Sequence, residues 1–103
     1  MDKLSMLVKE YVAITKHLQA TGDCIMDGSV LCIPKTKIVG LLNKNPYMSA
    51  NYKLACWRDL GWISFDPGRY TKRRYTENGY RRLMQINLLT AQTLEALMVP
   101  LIG

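Results

Sequence analysis

Two short amphipathic segments, separated by a break of a few residues, constrain the fold of this chain more than any other feature. Lys35–Asn43 and Ser49–Leu60 both place apolar residues at steps of three and four. Lys44-Asn45-Pro46 lies between them, and a proline disfavours helical dihedral angles at the residue before it. A break this short makes two helices cross at a steep angle. The sequence therefore predicts a helix-turn-helix.

A basic hairpin is predicted after the second helix. Trp62–Phe65 is rich in strand-forming residues, and Tyr70–Tyr75 is expected to return as the second strand. Asp66-Pro67-Gly68 forms the turn between them, with Gly68 supplying a positive φ. Thr76 is expected to cap a final helix from Glu77 to about Met98.

The segments before the helix-turn-helix give three further expectations. Asp2–Ala20 is predicted as an amphipathic helix, with Gly22 as its C-cap. Val30–Ile33 is a candidate short strand that would pair with the hairpin. Gly40, in mid-helix, is expected to mark a close approach of the next helix, because only a small residue leaves room for one.

Length and composition favour one compact unit. A chain of 103 residues suits a single domain. The predicted class is α+β, mainly α, with a winged helix-turn-helix whose N- and C-terminal helices form a dimer interface. Within the domain 1–103, we assign 1–20 to the N-terminal helix, 31–76 to the helix-turn-helix and wing, and 77–101 to a C-terminal dimerisation helix.

Positive charge is concentrated in one part of the chain. Lys35–Arg82 holds eleven of the fourteen Lys and Arg, but only three of the eight Asp and Glu. Charge confined to one supersecondary unit is typical of a surface that binds a polyanion.

Several classes of function are disfavoured. The three cysteines lack C-x-x-C spacing and His17 is the only histidine, so we predict no metal site. No phosphate-binding glycine loop or paired catalytic carboxylates occur, so we predict neither a cofactor nor an enzyme. Charged residues interrupt the N-terminal apolar residues and no long apolar run is present. We therefore expect a cytoplasmic, nucleoid-associated protein with no membrane partner.

Two motifs carry a resemblance to a known family. Leu54-x-x-Trp57-x-x-x-Gly61-Trp62-Ile63 resembles the junction of recognition helix and wing in MarR, PadR and ArsR-type regulators. Arg74-Tyr75-Thr76-x-x-Gly79-x-x-x-Leu83 is similar to the end of the wing and the start of the following helix in that group. The resemblance covers roughly Leu31 to Leu83. It implies a winged-helix fold and DNA binding, and small plasmid or viral DNA-binding and partition proteins share the layout.

The predicted DNA-binding residues come from three places: the start of the first helix, the second helix with the turn before it, and the hairpin. A helix in the major groove reads base edges, Asn pairing with adenine and Lys with guanine, while hairpin cations contact phosphates. The set is Lys35, Thr36, Lys37, Lys44, Tyr47, Ser49, Asn51, Tyr52, Lys53, Arg58, Arg69, Tyr70, Lys72, Arg73 and Arg74.

The last predicted helix is apolar around most of its circumference, which suits a buried position between two subunits. We expect a homodimer whose interface combines this helix with the first. The predicted interface residues are Leu4, Leu7, Tyr11, Ile86, Leu89, Leu94, Leu97 and Leu101.

The function predicted from these features is sequence-specific binding of double-stranded DNA by a homodimer, as a transcriptional regulator. Two alternatives remain open. One is a plasmid or viral partition protein that coats a centromere-like site, spreads along DNA and binds a partition factor. The other is a winged-helix adaptor for protein interactions, although such domains tend to lose the basic character of the recognition face.

Overall fold

The computed structural model describes residues 2–77 and 79–102, with side chains up to Met98. Within this part of the chain the fold is α+β, as predicted, with four helices and an antiparallel five-stranded sheet. The elements are α1 (Lys3–Thr21), β1 (Ile25–Asp27), β2 (Val30–Ile33), α2 (Lys35–Leu42), α3 (Ala50–Asp59), β3 (Ile63–Ser64), β4 (Lys72–Thr76), β5 (Gly79–Asn87) and α4 (Leu88–Ile102).

The first helix begins and ends where its sequence signals indicate. The Asp2 carboxylate accepts a hydrogen bond from the Ser5 N–H at 2.7 Å and so caps the N-terminus of α1. Gly22 has a left-handed conformation, with φ of 68°, and its N–H donates to the Leu18 carbonyl. The predicted helix is confirmed.

Both helices of the predicted pair are present, joined by a short turn. The Ser49 hydroxyl accepts from the Tyr52 N–H at 3.2 Å and caps α3. The spacing of Leu54, Trp57 and Leu60 by three residues predicts that all three lie on one buried side of this helix. Leu54 and Trp57 are buried, whereas Leu60 is half exposed. The explanation given for Gly40 was wrong: the position is exposed, and no atom of another element lies within 4 Å of where a Cβ would stand.

The sheet is organised around β5. The C-terminal half of β5 pairs with β2 on one side and with β3 on the other. Ile86 lies opposite Leu31 of β2 and opposite Ile63 of β3. The predicted strand Val30–Ile33 is therefore confirmed, but its expected pairing was wrong: it pairs with β5, which was assigned to a helix from the sequence, and not with either strand of the predicted hairpin. The strand β1 pairs with the outer edge of β2.

The C-terminal region differs from the prediction. The last helix begins at Leu88, not at Glu77, and residues 79–87 form the strand β5. The hairpin therefore turns between Thr76 and Gly79, not at Pro67-Gly68. Leu83 and Ile86 are spaced for a helix, but β2 and β3 supply the backbone partners that make this segment a strand.

The predicted turn at residues 66–68 exists, but inside a loop. Ser64 pairs with Gln85 and Lys72 with Leu83, so residues 65–71 loop out between β3 and β4. The Asp66 N–H donates to the Thr71 carbonyl at 3.0 Å and closes the loop. Gly68 has the positive φ predicted for it, 74°.

The core lies between the helices and the sheet. The Tyr11 hydroxyl is fully buried and donates to the Trp62 carbonyl at 2.7 Å, which ties α1 to the start of β3. The helices α1 and α4 pack together, with Lys16 Nζ 2.5 Å from Glu95 Oε1. Among the described residues, no helix has the length and apolar character that crossing a membrane requires.

Candidate nucleic-acid interface

The hairpin of β4 and β5 carries cations on both of its faces. Residues opposite each other in an antiparallel pair point to the same side. Arg73 is opposite Arg82, and Arg74 is opposite Arg81. Because successive residues alternate between faces, Lys72, Arg74 and Arg81 share one face, and Arg73 and Arg82 share the other. We call these five residues the cationic hairpin.

Aromatic and acidic residues hold one face of the cationic hairpin in place. The Arg73 guanidinium lies 4.2 Å from the centre of the Tyr80 ring, which packs edge-on against Tyr75 at 5.3 Å between centroids. Arg82 Nη1 is 2.9 Å from Asp66 Oδ2. The backbone N–H of Arg73 and then the Arg82 side chain hold the pKa of Asp66 below its usual value.

Arg74 is less free than the sequence suggests. Its guanidinium pairs with Asp27, at the end of β1, and the side chain is only partly exposed. An open groove of about 660 Å³ runs between β1 and the hairpin beside this pair. Arg74 therefore attaches the hairpin to β1, and a phosphate would have to compete with Asp27 for it.

Three elements meet at Tyr70. Lys35 Nζ from the start of α2 lies 5.2 Å from the centre of its ring, and the Arg58 guanidinium from the end of α3 lies 4.9 Å from it. Tyr70 belongs to the loop between β3 and β4, whose tip carries the exposed Arg69. We call Lys35, Arg58 and Tyr70 the Tyr70 junction, because it joins the helix pair to the hairpin.

The other residues expected around α2 are dispersed. Thr36 and Lys44 are exposed. Lys37 pairs with Asp23 in the segment after α1. Since exposed ion pairs are weak, this contact leaves Lys37 able to change partners.

Lys53 was wrongly assigned to the DNA-binding surface. It is fully buried, and its ammonium donates to the Leu42 carbonyl at 2.8 Å, the Asn45 carbonyl at 2.5 Å and Glu10 Oε2 at 3.0 Å. Residues 50, 53, 54 and 57 lie on one face of a helix, and that face packs inward. The ammonium therefore fastens the turn between α2 and α3 to α1.

Tyr47 belongs to the same buried cluster. Its hydroxyl donates to Glu10 Oε1 at 2.7 Å, and Lys53 Nζ lies 4.1 Å from the centre of its ring. Burial, and then the hydrogen bond to the Glu10 carboxylate, raise the pKa of the Tyr47 hydroxyl. The Tyr47 hydroxyl is therefore already bonded within the protein. Contrary to the expectation from the sequence, it is not free to donate to DNA.

The surface of α3 has two different flanks. Asn51 is exposed and lies two turns from Arg58 on the side of the Tyr70 junction. Tyr52, Cys56 and Leu60 lie on the opposite side, toward α1. Ser49, at the helix start, uses its hydroxyl oxygen as the N-cap acceptor.

The α1 flank of α3 borders an open groove of about 310 Å³, which we call the α1–α3 groove. Lys3, Leu4 and Leu7 form its α1 wall. The remaining lining residues are Met48, Tyr52, Cys56, Asp59 and Leu60.

The predicted dimer residues divide into two groups. Leu7, Tyr11 and Ile86 were wrongly assigned, because they are buried in the core of the single chain. The side chains of Leu4, Leu89 and Leu97 are 56%, 69% and 65% exposed. Leu94 is partly buried against the core, and the side chain of Leu101 lies outside the described residues.

The cysteines are all free thiols. Burial raises the pKa of the Cys24 and Cys32 thiols, which makes them weak nucleophiles near neutral pH. In the described part of the chain, no group of three or more His, Cys, Asp and Glu side chains is placed to hold a metal ion.

Arg81 and Arg82 were missing from the predicted interface, although the structure places both on the cationic hairpin. They were assigned to a helix that does not exist there. The sequence pair Asn78-Gly79 was the available signal, since Asn-Gly between strand-forming residues is typical of a tight hairpin.

Comparison of the chain with protein-family models and with curated proteins finds no match.

Proposed function

We propose that this protein binds double-stranded DNA as a homodimer and acts as a transcriptional regulator. In this proposal the cationic hairpin and the Tyr70 junction contact phosphates, and the exposed flank of α3 that carries Asn51 enters the major groove. Lys53 has no part in it.

The observation that carries the proposal is the placement of the cations. Lys72, Arg73 and Arg81 are exposed on the hairpin, and the Tyr70 ring brings together Lys35 from α2 and Arg58 from α3. Positive side chains on several elements around one exposed helix are typical of a surface that follows a phosphate backbone.

The order of elements supports the same proposal. A strand, β2, precedes the helix pair, and a hairpin follows it and pairs with that strand through β5. This order is compatible with a winged helix-turn-helix, and in the proposal the second helix reads bases while the hairpin contacts the backbone beside it.

The dimer is proposed from α4. Leu89 and Leu97, two turns apart, leave large apolar side chains exposed on one side of this helix. Covering them with the same helix of a second copy would remove apolar surface from water. Two recognition helices could then address half-sites about one DNA turn apart.

Binding of a duplex at increasing salt tests the DNA proposal. Neutralising phosphates releases counterions, so the logarithm of affinity should fall linearly with the logarithm of salt concentration, with a slope of about −0.9 per phosphate contacted. We expect a slope that corresponds to several contacts. A slope near zero, or no binding at low salt, would refute the proposal.

The partition alternative differs in how the protein occupies DNA. Footprinting over a range of protein concentrations separates the two: a regulator protects a fixed, palindromic site, whereas a spreading protein extends its protection outward. Detecting a partition factor as a second partner would favour the alternative further.

The adaptor alternative is favoured by one observation. Of the two cations in α3, Lys53 is buried, and the remaining Arg58 lies 3.4 Å from the carboxylate of Asp59. The recognition helix is therefore less basic than the sequence indicated. Undiminished function in cells after DNA binding has been abolished would identify the adaptor role.

A further inference from the structure

The α1–α3 groove is an apolar feature beside α3 that the proposed DNA contacts do not use. The side chains of Tyr52 and Leu60 are 59% and 49% exposed on one wall, and Leu4 is exposed on the other. Single exposed apolar residues are ordinary, but several around one groove indicate an interaction site.

We propose that this groove is a self-association surface, occupied by the same groove region of a second copy of this chain. The surface is distinct from the α4 face. It contains both the depression and the projecting side chains, Leu4, Tyr52 and Leu60, that would fill the depression of the partner. A patch with both features can pair with itself about a two-fold axis.

Charge complementarity selects a second copy as the occupant. The α1 wall carries the cation Lys3, and the α3 wall carries the anion Asp59, whose side chain is 72% exposed. Asp59 also lies 3.4 Å from Arg58, but an exposed pair of this kind is weak and leaves the carboxylate able to contact a second cation. A two-fold rotation that brings α1 of one copy against α3 of the other places Lys3 opposite Asp59 twice, once on each side of the axis. Such pairs at the rim of an interface fix its register.

A small molecule fits the groove less well than a protein surface does. Its volume of about 310 Å³ is at the lower end of the roughly 300–1,000 Å³ typical of ligand pockets. The groove is also open, and its two charged side chains lie on opposite walls, where they would not converge on one ligand.

The test begins with the double variant Leu89→Lys with Leu97→Lys, which removes the exposed apolar residues of α4. The full chain is studied without DNA. Both leucines are exposed, so the fold should tolerate the change. We expect this background to self-associate in sedimentation equilibrium. In it, Lys3→Glu or Asp59→Lys should each weaken association by roughly tenfold, because each creates two like-charge contacts per dimer.

The decisive experiment is to mix the two charge variants and measure whether they associate with each other. In an equal mixture of the Lys3→Glu and Asp59→Lys variants, every rim contact pairs opposite charges again, so association should recover to the level of the background. Recovery also requires both variants to be folded. Lys9→Glu, on the exposed surface of α1 outside the groove, changes the charge equally and should have little effect.

Two results would overturn the proposal. One is a background variant that remains monomeric at about 100 µM, a concentration at which even a weak dimer is populated; the groove would then belong to another partner. The other is a mixture that associates no better than its separate components. Since no DNA is present, either failure leaves the proposed DNA binding untouched.

Discussion

The two flanks of α3 have opposite characters. The flank toward the hairpin presents Asn51 and Arg58 and continues into the Tyr70 junction. The flank toward α1 presents Tyr52 and Leu60 and continues into an apolar groove. A single ten-residue helix thus offers a polar, cationic surface to one side and an apolar surface to the other. The two proposals use this difference: DNA is proposed for the polar flank, and a second copy of the chain for the apolar one.

Between these flanks, the inward face of α3 carries Lys53, and the largest expected effect is there. Lys53→Ala removes the cation from the buried Glu10 carboxylate and Leu42 carbonyl, and from the partly buried Asn45 carbonyl. Breaking a buried charge pair from one side costs about 3–5 kcal/mol. We expect the free energy of unfolding, measured by urea denaturation, to fall by this amount. Lys44→Ala, at an exposed position in the same turn, should change it by less than about 0.5 kcal/mol.

If Lys53 contacted DNA instead, the result would be different: Lys53→Ala would retain its stability and lose affinity for the duplex. That outcome would mean that α3 rotates to expose the Lys53 side chain. The assignment of Lys53 to an inward face, separate from the two exposed flanks, would then be wrong.

The next prediction compares the two flanks directly at adjacent residues. Asn51→Ala should reduce discrimination between a preferred site and a mismatched one by roughly 1–3 kcal/mol, the amount expected when one base-specific hydrogen-bonding side chain is removed. Tyr52→Ala should leave discrimination nearly unchanged, because Tyr52 lines the α1–α3 groove. Competition binding with matched and mismatched duplexes measures both. Equal reductions would show that DNA contacts both flanks.

The sequence predicted the first three helices well because the information there is local, whereas it placed the start of α4 eleven residues too early. The boundaries of α1 and α3 are marked by capping residues, Asp2, Gly22 and Ser49, whose effects act within a few residues. The strand β5 was missed because its identity depends on β2, about fifty residues earlier in the chain. A spacing of three between Leu83 and Ile86 fits a helix as well as a buried strand.

The site was predicted less completely for the same reason. Cations on the hairpin could be recognised from composition, but Arg81 and Arg82 required the correct strand. The assignment of Lys53 failed because its stabilising partner, Glu10, is on α1, and nothing local indicates that contact. The spacing of Lys53 with Ala50 and Trp57 on one helical face was the available warning.

The third prediction concerns the hairpin beyond the Asn51 flank. Arg73→Ala with Arg81→Ala removes one exposed cation from each face. Affinity should fall by roughly tenfold for all duplex sequences alike, and the salt slope should decrease in magnitude by about 0.9 for each phosphate that the variant no longer neutralises. Lys9→Ala with Lys16→Ala, both exposed on α1, removes equal charge. If this control has the same effect, overall charge rather than the hairpin determines binding.

The smallest expected effect is a change in how stability depends on pH. It compares Asp66, in the loop between β3 and β4, with Asp59 beside the α1–α3 groove. Hydrogen bonds from the Arg73 N–H and the Arg82 side chain lower the pKa of Asp66 in the folded state. A group with a depressed folded pKa stabilises the fold above its unfolded pKa of about 3.9, and that stabilisation is lost as pH falls through the folded value. Asp66→Asn should therefore flatten the fall in melting temperature below pH 4. Between pH 5 and 7 it should change the melting temperature only by a constant offset.

Asp59→Asn is the matched control, because Asp59, beside the α1–α3 groove, does not have this backbone hydrogen bond. If the control flattened the fall at acid pH equally, the stabilising role assigned to Asp66 in the loop between β3 and β4 would be wrong.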